Sequence, residues 1–193
     1  MRQIHDTSLV FIHIPKTAGM AVVNAFGLEH QTSDHSMTSP TDLQLLDSRF
    51  VRFTVFRNPV TRFESAYKYS LSMLDNYRGN FISVREDILN HGLDKDVNLF
   101  LSFYQDKIQR LASNMHFIPQ WYYYIKCKPS IVLRQEQLAT DIDIVARLAP
   151  QHFVGLAEKN KSPSHADVNT TLNEKSVETV NQLYQSDFLL WNM

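Results

Sequence analysis

The feature that most constrains the fold is a short apolar run that leads directly into a proline, a lysine and small residues. Residues 9–14 read Leu-Val-Phe-Ile-His-Ile, and residues 15–19 read Pro-Lys-Thr-Ala-Gly. Apolar residues at helical spacing follow at once, which predicts a buried strand over 9–14, a tight turn, and a helix over 17–26. Backbone N–H groups and the positive end of a helix dipole converge in such a turn, and Lys16 adds a full charge. The sequence therefore predicts an anion-binding loop.

This loop is not a Walker A motif. That motif requires G-x-x-x-x-G-K-[ST], whereas Lys16 comes three residues before Gly19, which is the only glycine of the turn. The pattern indicates a phosphate-type cradle of another kind.

Length and composition predict one globular domain over residues 1–193 and exclude several classes of protein. Hydrophobic residues make up 44% of the chain and charged residues 20%, and the formal net charge of −1 does not favour a nucleic-acid surface. The single cysteine, Cys127, rules out an internal disulfide and favours a reducing compartment. No apolar stretch approaches the roughly 18 residues of a membrane span, and the first residues lack the layout of a secretory signal. We therefore expect a cytoplasmic protein.

Short apolar runs alternate with helical patterns along the chain, which is typical of a three-layer α/β domain with a mostly parallel sheet. The predicted strands are 9–14, 51–56, 130–133 and, more weakly, 152–156. The predicted helices are 17–26, 40–47, 59–74, 96–104, 135–148 and 173–185, the last capped by Thr171 or Asn173. Residues 76–96 are either a long loop or an irregular helical excursion.

A second group of polar residues follows the second predicted strand. Arg57 comes at its carboxyl end, where open α/β sheets place their ligands. Asn58 is a suitable N-cap and Pro59 a suitable first residue for the next helix, and Ser65 lies about two turns along it. An arginine with a serine can hold a phosphate. Two anion sites at neighbouring strand ends predict a ligand with two separated anionic groups.

Both sites carry motifs that resemble those of sulfotransferases. H-I-P-K-T-A-G over residues 13–19 is similar to the 5′-phosphosulfate loop, and F-R-N-P-V-x-R-F-x-S-A-Y over 56–67 is similar to the 3′-phosphate motif. The pattern is most similar to carbohydrate (membrane-type) sulfotransferases and their bacterial relatives, whose donor is 3′-phosphoadenosine 5′-phosphosulfate (PAPS) and whose nucleotide product is PAP. Shorter matches follow in the family's order at 35–38, 116–120 (H-x-x-P-Q), 133–138 and 183–188, so the resemblance covers almost the whole chain.

The resemblance implies a fold like that of P-loop NTPases, and it implies a role for particular residues. The 5′-phosphosulfate would be held by Lys16, Thr17, Ala18, Gly19 and Met20. Arg57 and Ser65 would hold the 3′-phosphate, and Lys161 with Ser162 would belong to a late loop that closes on the nucleotide. At Met20 the relatives usually have threonine or serine, so a side-chain hydroxyl contact is lost there.

The implied reaction is in-line transfer of a sulfuryl group to a hydroxyl of a carbohydrate or other small glycosylated acceptor. Lys16 would neutralise charge on the leaving phosphate, and no metal is required. His35 is the predicted base, although an exposed loop histidine fits the sequence equally well. We expect His13 to be structural, and Arg62 to be a surface or salt-bridge residue.

Two other functions stay open at this point: a P-loop-like nucleotide or metabolite kinase, and a non-catalytic module that binds PAP or another nucleotide. The aromatic run at 121–124 favours core packing over sugar stacking. Aromatic residues at the surface would also allow a homodimer.

Overall fold

The computed structural model describes residues 1–29, 47–74, 82–112, 114–157 and 167–192. Within these ranges the strands are β1 (Arg2–Gln3), β2 (Leu9–Ile12), β3 (Val51–Phe56) and β4 (Ile131–Arg134). They form one sheet in the order β1-β2-β3-β4, in which β1 is antiparallel to β2 and the other neighbours are parallel. The predicted α/β class with a mostly parallel sheet is confirmed.

The helices of the described residues are α1 (Gly19–Ala25), α2 (Pro59–Ser72), α3 (Ile82–His91), α4 (Val97–Tyr104), α5 (Ile108–Ala112), α6 (Gln120–Cys127), α7 (Leu138–Ala146), α8 (Glu174–Leu183) and α9 (Gln185–Trp191). The sequence predicts α1, α2, α4, α7 and α8, but it does not predict α5, α6 and α9. Of the range 76–96, for which a loop and a helical excursion were both open, residues 82–91 form helix α3, and residues 76–81 lie outside the described residues. The predicted helix 40–47 lies outside the described residues, apart from Asp47.

The predicted strand at 152–156 is wrong. Pro150–His152 form a 3-10 turn instead, and the next N–H groups do not join the sheet. The N–H of Val154 donates to the carbonyl oxygen of Ala25 over 2.8 Å, so the end of α1 provides the hydrogen bond that a strand would have needed. Phe153 is half-buried and meets Phe26 at the end of α1 edge-on, with 5.6 Å between ring centroids, whereas Val154 is exposed. Residue types alone could not distinguish this segment from a strand.

The chain forms two compact units. The sheet unit comprises Met1–Arg57 and Gln120–Asn160, and the helical unit comprises Asn58–Pro119 and Lys161–Met193. The expectation of a single domain over 1–193 stays a prediction.

In the sheet unit, helices cover both faces of the sheet. Side chains alternate along β3, so Phe53 and Val55 face one side while Phe56 faces the other. The first side carries one apolar cluster with residues of α1 and α7, including Phe11, Val22, Phe26, Phe53, Val55, Leu133 and Ile142. On the second side, Tyr124 of α6 meets Phe56 edge-on, with 6.2 Å between ring centroids. β2 and most of β3 are therefore covered on both sides, which agrees with their near-continuous apolarity, whereas Val132 of β4 is exposed.

In the helical unit, side-chain caps begin two of the helices that the sequence predicts. Asn58 Oδ1 accepts the N–H groups of Val60 (3.0 Å) and Thr61 (3.4 Å) at the start of α2. Asn173 Oδ1 accepts the N–H of Ser176 over 2.9 Å at the start of α8, so Asn173 is the cap rather than Thr171. The core of this unit is aromatic and includes Phe63, Tyr67, Phe100, Tyr104, Phe117 and Tyr184.

A buried carboxylate ties three helices of the helical unit together. Asp87 accepts a 2.6 Å hydrogen bond from the hydroxyl of Tyr104 and 2.7 Å bonds from Nε and Nη2 of Arg110. Burial alone would raise the pKa of Asp87, but the hydrogen bonds from Arg110 and Tyr104 outweigh it and lower that pKa. The charged form of Asp87 therefore stabilises the folded unit.

Candidate anion-binding site

The loop between β2 and α1 contains two non-glycine residues in the left-handed region. Lys16 has φ 70° and Ala18 has φ 66°, a conformation that costs an L-residue about 1–2 kcal/mol. Such backbone strain clusters at ligand sites, and successive N–H groups around left-handed residues form concave sites for anions. The geometry therefore agrees with the anion-binding loop that the sequence predicts.

Thr17 and the first turn of α1 determine which donors this loop can offer. The buried hydroxyl of Thr17 donates to the carbonyl oxygen of Ile14 over 2.9 Å, so it holds the loop closed. The N–H of Ala21 donates to the carbonyl oxygen of Ala18 over 2.9 Å, and this is the first backbone hydrogen bond of α1. Helix geometry leaves the N–H groups of Gly19 and Met20 without an intrahelical acceptor. Both therefore suit an anion better than the Thr17 hydroxyl does.

His13 fixes the position of Gly19. His13 is 4% exposed, and its ring stacks against Phe11 with 5.4 Å between centroids and occupies the space where a side chain at position 19 would begin. A Cβ at Gly19 would lie 1.8 Å from His13 Nε2, which no packing allows. Position 19 thus requires glycine because the His13 ring approaches it closely. This packing agrees with the structural role expected for His13.

Arg57 and Lys16 meet within the sheet unit. β2 and β3 are parallel neighbours with Ile12 beside Thr54, so the residues that follow both strands leave the sheet at the same edge. Nη1 of Arg57 donates to the carbonyl oxygen of Lys16 over 3.3 Å. A guanidinium carries five N–H donors, so this bond occupies one of them. The structure therefore brings together the two cationic residues that the sequence assigned to separate anion sites.

Gln120 holds the main chain of Arg57, a role in the site that the sequence did not reveal. Its Oε1 accepts the N–H of Arg57 and its Nε2 donates to the carbonyl oxygen of Arg57, each over 2.9 Å. Gln120 is fully buried and is the first residue of α6. The sequence does place Gln120 after Pro119 at the start of a helix, but this local pattern does not show which main-chain groups its side chain binds.

The other predicted site residues stand as follows. Met20 is exposed at the first turn of α1, and Ser65 is half-buried on α2 in the helical unit. His35, Lys161 and Ser162 lie outside the described residues. The ligand roles of all these residues stay predictions.

The surface position expected for Arg62 is wrong, whereas the salt-bridge alternative stays a prediction. Its side chain is 2% exposed, and Nη2 donates to the carbonyl oxygen of Ile118 over 2.9 Å, so it braces a loop from inside the helical unit. Core packing is confirmed for Tyr123 in the aromatic run, which is buried, whereas Tyr122 is exposed.

The described residues show neither a metal-binding cluster nor a membrane-spanning helix. Within them, no group of three His, Cys, Asp or Glu side chains is placed to hold a metal ion. None of the helices described above combines the length and apolarity needed to cross a bilayer.

Comparison with known proteins identifies the family. The model of the sulfotransferase family matches residues 2–192, and this chain belongs to that family. No curated protein and no solved structure was found to match it.

The residues of the site fit an anionic donor molecule. The groups at this edge are the guanidinium of Arg57, the main chain of the cationic residue Lys16, and the N–H groups of Gly19 and Met20 at the start of α1. These are hydrogen-bond donors, and donors with positive charge are what phosphate and sulfate oxygens require. The chemistry of the site thus agrees with sulfuryl transfer, the general activity of the family.

Proposed function

We propose that this chain is a PAPS-dependent sulfotransferase that acts on a hydroxyl of a carbohydrate or small glycosylated acceptor. The observation that carries the proposal is the 3.3 Å contact between Nη1 of Arg57 and the carbonyl oxygen of Lys16. This contact holds two cationic residues at one edge of the sheet, which suits a donor with two separated anionic groups. We assign the loop of Lys16 to the 5′-phosphosulfate and Arg57 to the 3′-phosphate, within a fold like that of P-loop NTPases.

The residues of the loop would stabilise the negative charge that accumulates during transfer. PAPS, when bound, supplies the sulfuryl group. The ammonium of Lys16 would neutralise charge on the leaving phosphate as the S–O bond breaks, and the N–H groups of Gly19 and Met20 would donate to the same group. Donors whose positions are fixed before the reaction need no reorganisation, and the strained loop and the His13 packing provide that fixation.

The acceptor needs a base. Its hydroxyl oxygen forms the new bond to sulfur while its proton leaves to a general base, and we assign that role to His35. The carbohydrate acceptor is supported by the resemblance of the two nucleotide motifs to those of carbohydrate sulfotransferases. No metal takes part in this scheme.

Ligand-dependent thermal unfolding, followed by a transfer assay, tests the proposal. PAP should raise the unfolding temperature more than ATP with Mg²⁺ does, and labelled sulfate should pass from PAPS to at least one member of a glycan panel. A larger shift with ATP and Mg²⁺ would favour a kinase instead. Stabilisation by PAP without transfer to any hydroxylated acceptor would favour a non-catalytic nucleotide-binding module.

A further inference from the structure

The side chain of Gln120 behaves toward Arg57 as a neighbouring strand would. Its amide pairs with both main-chain polar groups of one residue, accepting from the N–H and donating to the carbonyl oxygen, each over 2.9 Å. A carboxamide can do this because it carries an acceptor and a donor on adjacent atoms. The side chain of Gln120 is fully buried, and Arg57 is half-buried.

The place of this pairing in the sheet explains why it is needed. The ladder between β3 and β4 ends with Phe56 beside Arg134, so Arg57 is the first residue beyond it. Main-chain N–H and carbonyl groups that are removed from water need hydrogen-bond partners. Gln120 provides both, and the backbone of Arg57 is therefore fixed although the ladder has ended.

We propose that Gln120 is a positioning residue for nucleotide recognition, which acts by fixing the main chain from which the Arg57 guanidinium extends. The inference rests on the proposed function, because it takes Arg57 as the ligand of the 3′-phosphate. A planar guanidinium binds a phosphate with two parallel hydrogen bonds only from a restricted set of positions. A backbone that is held at both polar groups reduces the conformations that Arg57 must give up when it binds.

A purely structural role for Gln120 predicts something different. If the buried amide only fills space, replacing it would lower the stability of the protein and would weaken the binding of every nucleotide equally. A positioning role predicts a selective loss. PAP, which carries the 3′-phosphate, should lose affinity, while 5′-AMP, which lacks it, should keep most of its affinity. The ratio of the two dissociation constants separates these cases.

The decisive variant is Gln120→Glu, studied as a function of pH. The ionised carboxylate can accept from the N–H of Arg57, but it cannot donate to the carbonyl oxygen and repels it. The neutral acid regains one donor and one acceptor, and burial raises the pKa of a carboxyl group. We expect PAP to bind Gln120→Glu at least ten-fold more weakly than wild type near pH 8, and to recover toward the wild-type affinity as the pH falls toward 5.

Three control proteins complete the experiment. Gln120→Met should show the selective loss at every pH, because it never regains a donor. Gln151→Glu makes the same charge change at an exposed position of the sheet unit and should match wild type. Wild type measured across the same pH range corrects for protonation of the nucleotide phosphates.

The outcomes separate this inference from the proposed function. If wild type prefers PAP to 5′-AMP, Arg57→Ala loses that preference, and both Gln120 variants keep it, the positioning role is overturned and the proposed function stands. If wild type shows no preference for PAP, the proposed function fails and this inference fails with it. If Gln120→Met does not fold, the pH series of Gln120→Glu decides alone, and a loss of affinity that does not recover at low pH would overturn the proposal.

Discussion

The guanidinium of Arg57 lies against the carbonyl oxygen of Lys16, with 3.3 Å between Nη1 and O, although 41 positions separate the two residues. The parallel register of β2 and β3 produces this contact, because it delivers the residues after both strands to the same edge of the sheet. The side chain of Arg57, which we assign to the 3′-phosphate, thus helps to hold the main chain of the Lys16 loop, which we assign to the 5′-phosphosulfate.

Lys16→Gly should abolish sulfuryl transfer while leaving the protein as stable as wild type. Glycine adopts the φ of 70° without the cost of about 1–2 kcal/mol that lysine bears there, and this gain offsets the greater chain entropy that glycine loses on folding, about 0.5–1 kcal/mol. The free energy of unfolding should therefore change by no more than about 1 kcal/mol. Urea denaturation measures the stability, and transfer of labelled sulfate measures the activity.

Lys128→Gly is the matched control for that variant. Lys128 is an exposed lysine of the sheet unit with φ 46°, so the substitution makes the same chemical change in a comparable backbone conformation away from the site. It should keep full transfer activity. Retained activity in Lys16→Gly would remove Lys16 from the mechanism.

The loop and its cations were predictable from the sequence because each depends on local signals. An apolar run, a proline, a lysine and small residues indicate a strand followed by an anion loop, and Arg57 after the next strand indicates a second site. Whether the two sites meet depends on strand order and register. These are long-range properties, and a single sequence shows them only through a family resemblance.

Gly19→Ala should destabilise the protein even though alanine favours a helix more than glycine does. The new Cβ would lie 1.8 Å from Nε2 of the buried His13 ring, so the ring or the loop must move. We expect a loss of about 1–3 kcal/mol, larger than the roughly 1 kcal/mol gained in helix propensity. Urea denaturation measures the change in the free energy of unfolding.

A double-mutant cycle with His13→Ala shows whether the ring is the cause. Once the ring is removed, Gly19→Ala should cost less, with a coupling energy of about 1–2 kcal/mol between the two substitutions. Additive effects would mean that something other than His13 excludes a side chain at position 19.

Asp87→Asn should destabilise the helical unit in a pH-dependent manner. Because the pKa of Asp87 is lowered in the folded state, its charge contributes stability above the usual carboxyl pKa of about 4, and this contribution is lost as the pH falls through the lowered value. We expect a loss of about 1.5 kcal/mol at pH 7, the lower end for charge-assisted bonds, because half of the Arg110 side chain is exposed.

Asp106→Asn is the control for this comparison, since Asp106 is an exposed residue of the same unit. Its unfolding free energy should follow that of wild type from pH 7 to pH 3. A difference between Asp87→Asn and wild type that stays constant down to pH 3 would contradict the linkage.

Side-chain partners inside the fold were the least predictable part. Arg57 and Arg62 belong to one sequence motif. Arg62 is nevertheless buried and donates to the carbonyl oxygen of Ile118, whereas Arg57 lies at the edge of the sheet. Gln120 could not be assigned to Arg57, because 63 positions separate them. The sequence predicts residue type and local geometry, whereas such pairings depend on how distant segments pack.

Calorimetric titration of PAP and 5′-AMP decides whether the Lys16 loop and Arg57 bind two different anionic groups of one nucleotide. Wild type should prefer PAP by about ten- to a hundred-fold, which corresponds to about 1.5–3 kcal/mol for a charge-assisted contact. Arg57→Ala should lose most of that preference. Arg52→Ala is the control, because Arg52 lies on the same strand and donates to the carbonyl oxygens of Asp47 and Lys128. It should keep the preference of wild type. An Arg57→Ala protein that still prefers PAP as strongly as wild type does would contradict the account.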